Sequence, residues 1–80
     1  MKYFVYVLQD DIGKLYKGLT KDLVRRLKEH RAGATKSTRQ LINPKVVYSE
    51  TYNSFENARI REVYLKTAAG RRFIKKILGD

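Results

Sequence analysis

The chain has 80 residues, the size of one small domain, and we expect a single domain over residues 1–80. It carries 18 Lys and Arg against 8 Asp and Glu, a formal net charge of +10. Apolar residues make up 42% of the sequence, too many for a disordered basic tail, and the absence of cysteine excludes disulfides and thiolate metal sites. Because a compact domain this basic attracts polyanions, nucleic acid is the first candidate partner.

A membrane partner is disfavoured by the pattern of the sequence. The apolar run at residues 3–8 is too short for a signal-peptide core or a membrane span. The basic residues are spread along the chain, and no predicted helix combines a wide apolar face with Trp. We therefore expect a cytoplasmic protein.

The first elements predict a β-hairpin. Residues 3–8, YFVYVL, are rich in β-formers and place Tyr6 on the face opposite Val5 and Val7. Residues 10–14, DDIGK, are typical of a turn, and residues 15–19, LYKGL, predict the return strand. If Leu8 paired with Lys14, Tyr6 would lie directly opposite Tyr16.

A helix follows, capped by Thr20 or Asp22 and ended by Gly33. Arg26 and His30 are one turn apart beside its apolar stripe, so their side chains are expected on the same face. The apolar positions of this stripe are Leu23, Val24 and Leu27, and the residues expected to face outward are Arg25, Lys28 and Glu29.

The remaining elements complete a β-β-α-β-α-α order. Residues 33–44 predict a loop and residues 45–52, KVVYSETY, a third strand. A second helix is expected to begin at Asn53 with Glu56 in a capping box, and a break at residues 68–70 precedes a short last helix. The residues of that helix expected to pack inward are Phe73, Ile74, Ile77 and Leu78. This order predicts an α+β fold, a small three-stranded antiparallel sheet flanked by about three helices.

Glu62 is the anomaly in the second helix. It occupies an apolar stripe with Phe55, Ala58 and Leu65, where a carboxylate is costly unless it is paired or binds a metal. Two interpretations stay open: a metal ligand, or a salt bridge to Arg59, Lys66 or another basic residue.

The spacing of Tyr6, Tyr16-Lys17-Gly18, Arg26, His30 and Glu62 resembles the GIY-YIG nuclease domain family, whose larger members include an excinuclease and homing endonucleases. Phe4 and Val5 stand where the first signature has Gly and Ile, and Lys17 replaces Ile or Val in the second. Residues 56–78 are similar to the C-terminal part of the small stand-alone members.

The resemblance implies a metal-dependent endonuclease that hydrolyses DNA, with a role in repair or recombination. It also implies Mg²⁺ or Mn²⁺ held by Glu62. The catalytic residues that carry over are Tyr6, Tyr16, Arg26, His30 and Glu62. A non-catalytic nucleic-acid-binding module on the same scaffold is the alternative.

These residue types suit phosphodiester hydrolysis. Arg26 could clamp a phosphate oxygen, and Tyr6 could take a proton from water with help from Tyr16 or His30. Substrate contacts are expected from residues outside this cluster: Lys17, Arg25, Lys36, Ser37, Thr38, Arg39, Arg71 and Arg72. DNA is the expected substrate, and RNA fits the composition as well. From the length of the sequence we expect no separate targeting domain, so a protein partner would have to supply high sequence specificity.

Overall fold

The computed structural model describes residues 1–79, apart from the side chain of Ser37. The elements in chain order are β1 (Tyr3–Gln9), β2 (Leu15–Thr20), α1 (Leu23–Arg31), a 3-10 turn (Lys36–Thr38), β3 (Lys45–Tyr52), α2 (Phe55–Leu65) and α3 (Ala68–Ile77). The strands form one antiparallel sheet in the order β2-β1-β3. The predicted fold class and element order are confirmed. Within the described residues, no helix combines the length and the apolar character needed to span a membrane.

The register of the hairpin differs from the predicted one by two residues. Tyr6 lies opposite Gly18, and Leu8 lies opposite Tyr16. The reason is the turn, in which Asp10 Oδ1 accepts hydrogen bonds from the backbone N–H groups of Ile12 at 3.1 Å and Lys14 at 2.7 Å. The whole segment from Asp10 to Lys14 is thereby held outside the ladder. Since side chains alternate with period two, this shift leaves Tyr6 and Tyr16 on the same face.

β1 is the central strand, and both of its faces are covered. Val5 and Val7 point to one face, where they pack with Ala58 and Leu65 of α2 and Ile74 of α3. Burial of each of the larger side chains contributes roughly 1.5–3 kcal/mol relative to exposure. Tyr6 points to the opposite face, toward α1. The sheet therefore separates an apolar core from a second, polar cluster.

The junction between α2 and α3 is tighter than the sequence predicted. The expected break at residues 68–70 is wrong, because Thr67 caps α3 by accepting a hydrogen bond from the Gly70 N–H at 3.2 Å. A side chain at Gly70 would collide with the backbone of Tyr64 and Leu65. Gly70 thus lies inside the helix and allows the two helices to meet closely.

Other local predictions need correction. The N-cap residue of α1 is Asp22, one of the two caps expected from the sequence. The N-cap residue of α2 is Ser54 and not Asn53. The Ser54 side chain accepts the Asn57 N–H at 3.1 Å, so the expected capping box does not form. Three apolar side chains expected to face inward are exposed to between 41% and 69%: Val24, Phe55 and Ile77.

Candidate active site

Three rings meet on the face of the sheet covered by α1. Tyr6 and His30 are buried, and the Tyr6 Oη lies 2.8 Å from His30 Nε2. The Tyr16 ring stands edge-on to His30, with 5.1 Å between ring centroids, and its centroid is 6.3 Å from that of Tyr6. The structure therefore brings together the two predicted tyrosines and the only histidine of the chain.

His30 is held from its other side by a residue with a different predicted role. Its Nδ1 lies 2.6 Å from the Oγ1 of Thr38, whose side chain is buried. The sequence predicted that Thr38 contacts phosphate, whereas in the structure only 1% of the residue is exposed and its hydroxyl is bonded to the imidazole. The segment around it forms the 3-10 turn rather than a flexible loop. Periodicity could not reveal this contact, since it joins a helix to a turn.

Burial opposes ionisation of both partners in this hydrogen bond. It raises the pKa of the Tyr6 phenol to about 12, although the Arg26 guanidinium beside it acts in the opposite direction. Burial also lowers the pKa of His30, and the positive charge of Arg26 lowers it further. At neutral pH the pair is therefore a neutral phenol next to a neutral imidazole.

Arg26 lies at the open side of the cluster. Its Nη1 donates to Glu29 Oε1 at 2.9 Å. Its pKa is raised first by Glu29 and then by the neighbouring Tyr6 hydroxyl. The Arg26 side chain is 35% exposed against 72% for Arg25, so Arg26 faces the cluster and Arg25 faces solvent. This is the arrangement that the helix periodicity predicted.

Glu62 is largely buried and lies close enough to Tyr6 for its charge to raise the pKa of the phenol. Its Oε1 is 2.7 Å from Arg59 Nη1, and its Oε2 is 3.3 Å from Lys66 Nζ. The salt bridge that the sequence left open is thus present. However, the Arg59 and Lys66 side chains are 55% and 51% exposed, so water can replace either of them.

The oxygen ligands available at the site fit a divalent cation that is held by one carboxylate and by water. Among residues 1–79, no group of three or more His, Cys, Asp or Glu could enclose a metal ion. Mg²⁺ commonly uses one or two protein carboxylates and keeps several waters, which suits a single carboxylate with exposed partners such as Glu62. It would not suit a metal that needs a cage of protein ligands.

A group of basic side chains includes Lys66, one of the partners of Glu62. Burial lowers the pKa of Lys17, and the positive charges of Arg71 and Lys66 lower it further, so these three cations are neighbours. Lys66 was considered from the sequence only as a salt-bridge partner. The other predicted substrate contacts that the structure describes are exposed cations: Arg25, Lys36, Arg39 and Arg72. The Ser37 side chain lies outside the described residues.

A second partly buried carboxylate, Glu50 on β3, was missed by sequence reasoning. It accepts hydrogen bonds from the hydroxyls of Tyr48 and Tyr52 and from Arg61, whose Nε lies 2.9 Å from Oε1 and whose Nη2 lies 3.0 Å from Oε2. Arg61 also stacks over the Phe73 ring at 4.9 Å. The alternation of residues 48, 50 and 52 on one face was the available signal. Glu62 also has both oxygens occupied, but Arg61 is only 28% exposed against 55% and 51% for the partners of Glu62, so we assign Glu50 a structural role.

Comparison with known proteins agrees with this geometry. The GIY-YIG catalytic domain family matches residues 2–76 of the chain. The chain is 41% identical over 64 residues to UPF0213 protein SAG0778 of Streptococcus agalactiae, covering 79% of this chain and 73% of that protein. It is 34% identical over 77 residues to UPF0213 protein SERP0126 of Staphylococcus epidermidis, covering 95% and 94% of the two chains.

A solved structure has the same fold. The solution NMR structure of the UPF0213 protein BH0048 from Bacillus halodurans superposes with a TM-score of 0.60 at 29% sequence identity. The match covers 99% of this chain and 87% of the other. With nearly its whole length matched, and with Tyr6, Tyr16, Arg26 and His30 gathered at one site, the chain belongs to the GIY-YIG catalytic domain family.

Proposed function

We propose that this protein is a metal-dependent endonuclease that hydrolyses phosphodiester bonds in DNA. The observation that carries the proposal is the 2.8 Å hydrogen bond between Tyr6 and His30, with Arg26 beside the phenol, in a chain of a nuclease family. As finer parts of the proposal, we place its role in DNA repair or recombination and its site of action in the cytoplasm.

In our proposal, His30 compensates for the high pKa of Tyr6. With a pKa of about 12, roughly one Tyr6 in 10⁵ would be ionised at pH 7, too few for a phenolate base to act alone. In our proposal Tyr6 Oη takes a proton from the attacking water while its own proton passes to His30 Nε2. The water oxygen forms the new bond to phosphorus as the bond to the leaving oxygen breaks, and the leaving oxygen departs with the bonding electrons and takes a proton from solvent. The imidazole, a far stronger base than the neutral phenol, finally holds the proton.

The negative charge that develops on the phosphoryl oxygens needs cations. The Arg26 guanidinium is charged at all relevant pH values and can donate two hydrogen bonds to a phosphate. A divalent cation such as Mg²⁺ or Mn²⁺, held by Glu62 and water, would act as a Lewis acid toward the phosphate and its leaving oxygen. Together these groups supply the electrostatic stabilisation on which such reactions depend.

The basic surface supports DNA as the substrate. A net charge of +10 and the neighbouring cations Lys17, Lys66 and Arg71, of which Lys66 contacts Glu62, favour contact with the phosphate backbone. Such contacts carry no sequence information, so weak sequence preference is expected. If about four to six phosphates are neutralised, log K should fall against log salt with a slope of roughly −4 to −5.

The proposal is tested by incubating the protein with plasmid, single-stranded and branched DNA in Mg²⁺, Mn²⁺ or EDTA. Wild type should cleave at least one substrate only with a divalent cation. Tyr6→Phe, which keeps the ring and removes the hydroxyl, should abolish this cleavage, whereas Tyr64→Phe on the outer side of α2 should not. Equal cleavage by Tyr6→Phe and wild type would overturn the assigned role of the phenol.

The second candidate is a non-catalytic nucleic-acid-binding module. It is favoured by one observation, the occupation of both Glu62 oxygens by Arg59 and Lys66. A binding module should show the salt dependence given above without cleaving any of the three DNA forms under any metal condition. A salt slope near zero would remove nucleic acid as the main partner in both cases.

A further inference from the structure

A chain of three hydrogen bonds runs inward from Tyr6. Tyr6 Oη lies 2.8 Å from His30 Nε2, and His30 Nδ1 lies 2.6 Å from Thr38 Oγ1. The Thr38 hydroxyl in turn lies 3.4 Å from the backbone carbonyl oxygen of Thr35. The three side chains are buried in the substrate-free protein, so each proton in this chain needs a partner among the protein groups until a substrate and its attacking water enter the site.

The two neutral tautomers of His30 differ in whether every proton of this hydrogen-bond chain has an acceptor. If Nδ1 carries the proton, Tyr6 donates to Nε2, Nδ1–H donates to Thr38 Oγ1, and the Thr38 hydroxyl donates to the Thr35 carbonyl. Every proton then has an acceptor. If Nε2 carries the proton, it points at Tyr6 Oη, and the phenol proton has no other acceptor at hydrogen-bond distance among the described residues.

We propose that Thr38 is a positioning residue that holds His30 in its Nδ1–H tautomer. The ring nitrogen that carries the proton is set by the hydrogen bond that the other nitrogen makes. With Nδ1–H bound to Thr38, the lone pair of Nε2 faces the phenol and can accept its proton. Thr38 itself touches neither the substrate nor the reacting phenol. The catalytic meaning of this arrangement rests on the proposed nuclease function, but the tautomer does not.

The backbone around Thr38 is built to keep its hydroxyl in place. The Thr38 N–H donates to the Thr35 carbonyl at 3.1 Å, and the Leu41 N–H donates to the Thr38 carbonyl at 3.0 Å. These bonds close the 3-10 turn that begins after Thr35. The Thr35 side chain makes no capping hydrogen bond there, so Thr35 offers a matched control in the same turn.

The tautomer can be measured directly. His30 is the only histidine, so its ¹⁵N signals in long-range ¹H–¹⁵N spectra need no assignment. Wild type should show the pattern of Nδ1–H, Thr38→Ser should keep it, and Thr38→Val, which has the same shape without the hydroxyl, should shift the population toward Nε2–H. Thr35→Val should leave the pattern unchanged. An Nε2–H pattern in wild type overturns the proposal without requiring any variant to fold.

Cleavage assays provide the second measurement. Thr38→Val should lower kcat by about 10- to 100-fold, the range found for residues that hold metal-ligating histidines in place, with KM nearly unchanged. Thr38→Ser should restore most of this loss. Retention of the Nδ1–H tautomer in Thr38→Val overturns the positioning role whatever the cleavage rate. If wild type cleaves no DNA while the tautomer shifts as described, the proposed function fails and the role of Thr38 in setting the tautomer stands.

Discussion

Gly18 lies directly opposite Tyr6 in the ladder between β1 and β2, and the Tyr6 ring occupies the space that a side chain at Gly18 would need. A β-carbon at this position would collide with Oη and Cζ of Tyr6 and would approach Cε2 of Tyr16 to 3.0 Å. Gly18, the glycine of the second family signature, therefore leaves room for the Tyr6 phenol to pack against β2. This close approach explains how Tyr6 is both buried and directed at His30.

Gly18→Ala should displace the Tyr6 ring and break its hydrogen bond to His30. We expect a stability loss of about 1–3 kcal/mol from overpacking and a fall in cleavage of about 100-fold from misplacement of the phenol. Thermal melting and kcat measure the two effects. In a Tyr6→Phe background the closest clash, with Oη, is absent, so Gly18→Ala should cost less stability there. If the stability losses of Gly18→Ala and Tyr6→Phe were strictly additive in the double variant, this would contradict a close contact between Gly18 and the Tyr6 hydroxyl.

Glu50 should matter for stability rather than for cleavage. Glu50→Gln removes the charge that binds Arg61 and should lower the free energy of unfolding by about 3 kcal/mol, because a partly buried guanidinium loses its counter-ion. Urea unfolding measures this loss. Glu56→Gln, an exposed position in the first turn of α2, is the control and should change stability little. Equal effects of the two substitutions would show that the Glu50–Arg61 pair contributes nothing.

The same pair predicts how stability depends on pH. Burial acts to raise the pKa of Glu50, but hydrogen bonds from Arg61, Tyr48 and Tyr52 outweigh it, and the net pKa is lowered. Its contribution is therefore complete above the unfolded pKa of about 4.3 and is lost as the pH falls through the lower folded value. The melting temperature of wild type should fall in this acidic range more steeply than that of Glu50→Gln. Parallel pH profiles would contradict the assignment.

Local patterns predicted the fold because they depend on neighbouring residues. The alternation in residues 45–52 predicted β3 with its observed bounds. Because side chains alternate along each strand, the spacing of Tyr6 and Tyr16 in the hairpin predicted that both lie on one face of the sheet. The register of the hairpin was not predictable in this way. It depends on the Asp10 carboxylate, which also accepts the N–H of Ile42 from a distant loop at 3.1 Å.

In the candidate site too, local sequence patterns predicted some features, whereas contacts between distant elements determine others. Periodicity alone singled out Glu62, since a carboxylate interrupts an apolar stripe, and it separated Arg26 from Arg25 on α1. It could not find the bond between His30 and Thr38, because that bond depends on how the 3-10 turn folds back onto the helix. The roles of these residues in cleavage stay predictions until variants are measured.

Arg26 and Arg25 are adjacent in sequence and form a matched pair for testing α1. Arg26→Ala should lower cleavage by about 100-fold or more, because a charge contact made in the transition state is lost. Arg25→Ala should change cleavage little, since its side chain is 72% exposed and faces away from Tyr6. Single-turnover rates on the preferred DNA substrate measure both effects. Equal losses would mean that Arg25 also reaches the scissile phosphate.

Glu62→Gln decides between a metal ligand and a structural ion pair. Its partners Arg59 and Lys66 are exposed, so losing the carboxylate charge should cost less than about 1 kcal/mol of stability. We expect normal melting, unchanged or slightly tighter DNA binding, and loss of metal-dependent cleavage. Glu56→Gln again serves as the control. Unaltered cleavage would exclude Glu62 as the metal ligand, and a collapsed melting temperature would show that its ion pairs are structural.

The same variant should alter the acidity of Tyr6 in the absence of any metal. The negative charge of Glu62 is one of the causes that raise the pKa of the phenol to about 12, after burial and the neighbouring Tyr16. Removing that charge favours the phenolate, so the pKa of Tyr6 should fall in Glu62→Gln, whereas Arg26→Ala should raise it further. A ¹³Cζ-tyrosine NMR titration between pH 9 and 12 follows this shift through the fraction of Tyr6 that is ionised at the upper end of the range. An unchanged Tyr6 titration would mean that Glu62 lies too far from the phenol to act on the same phosphate.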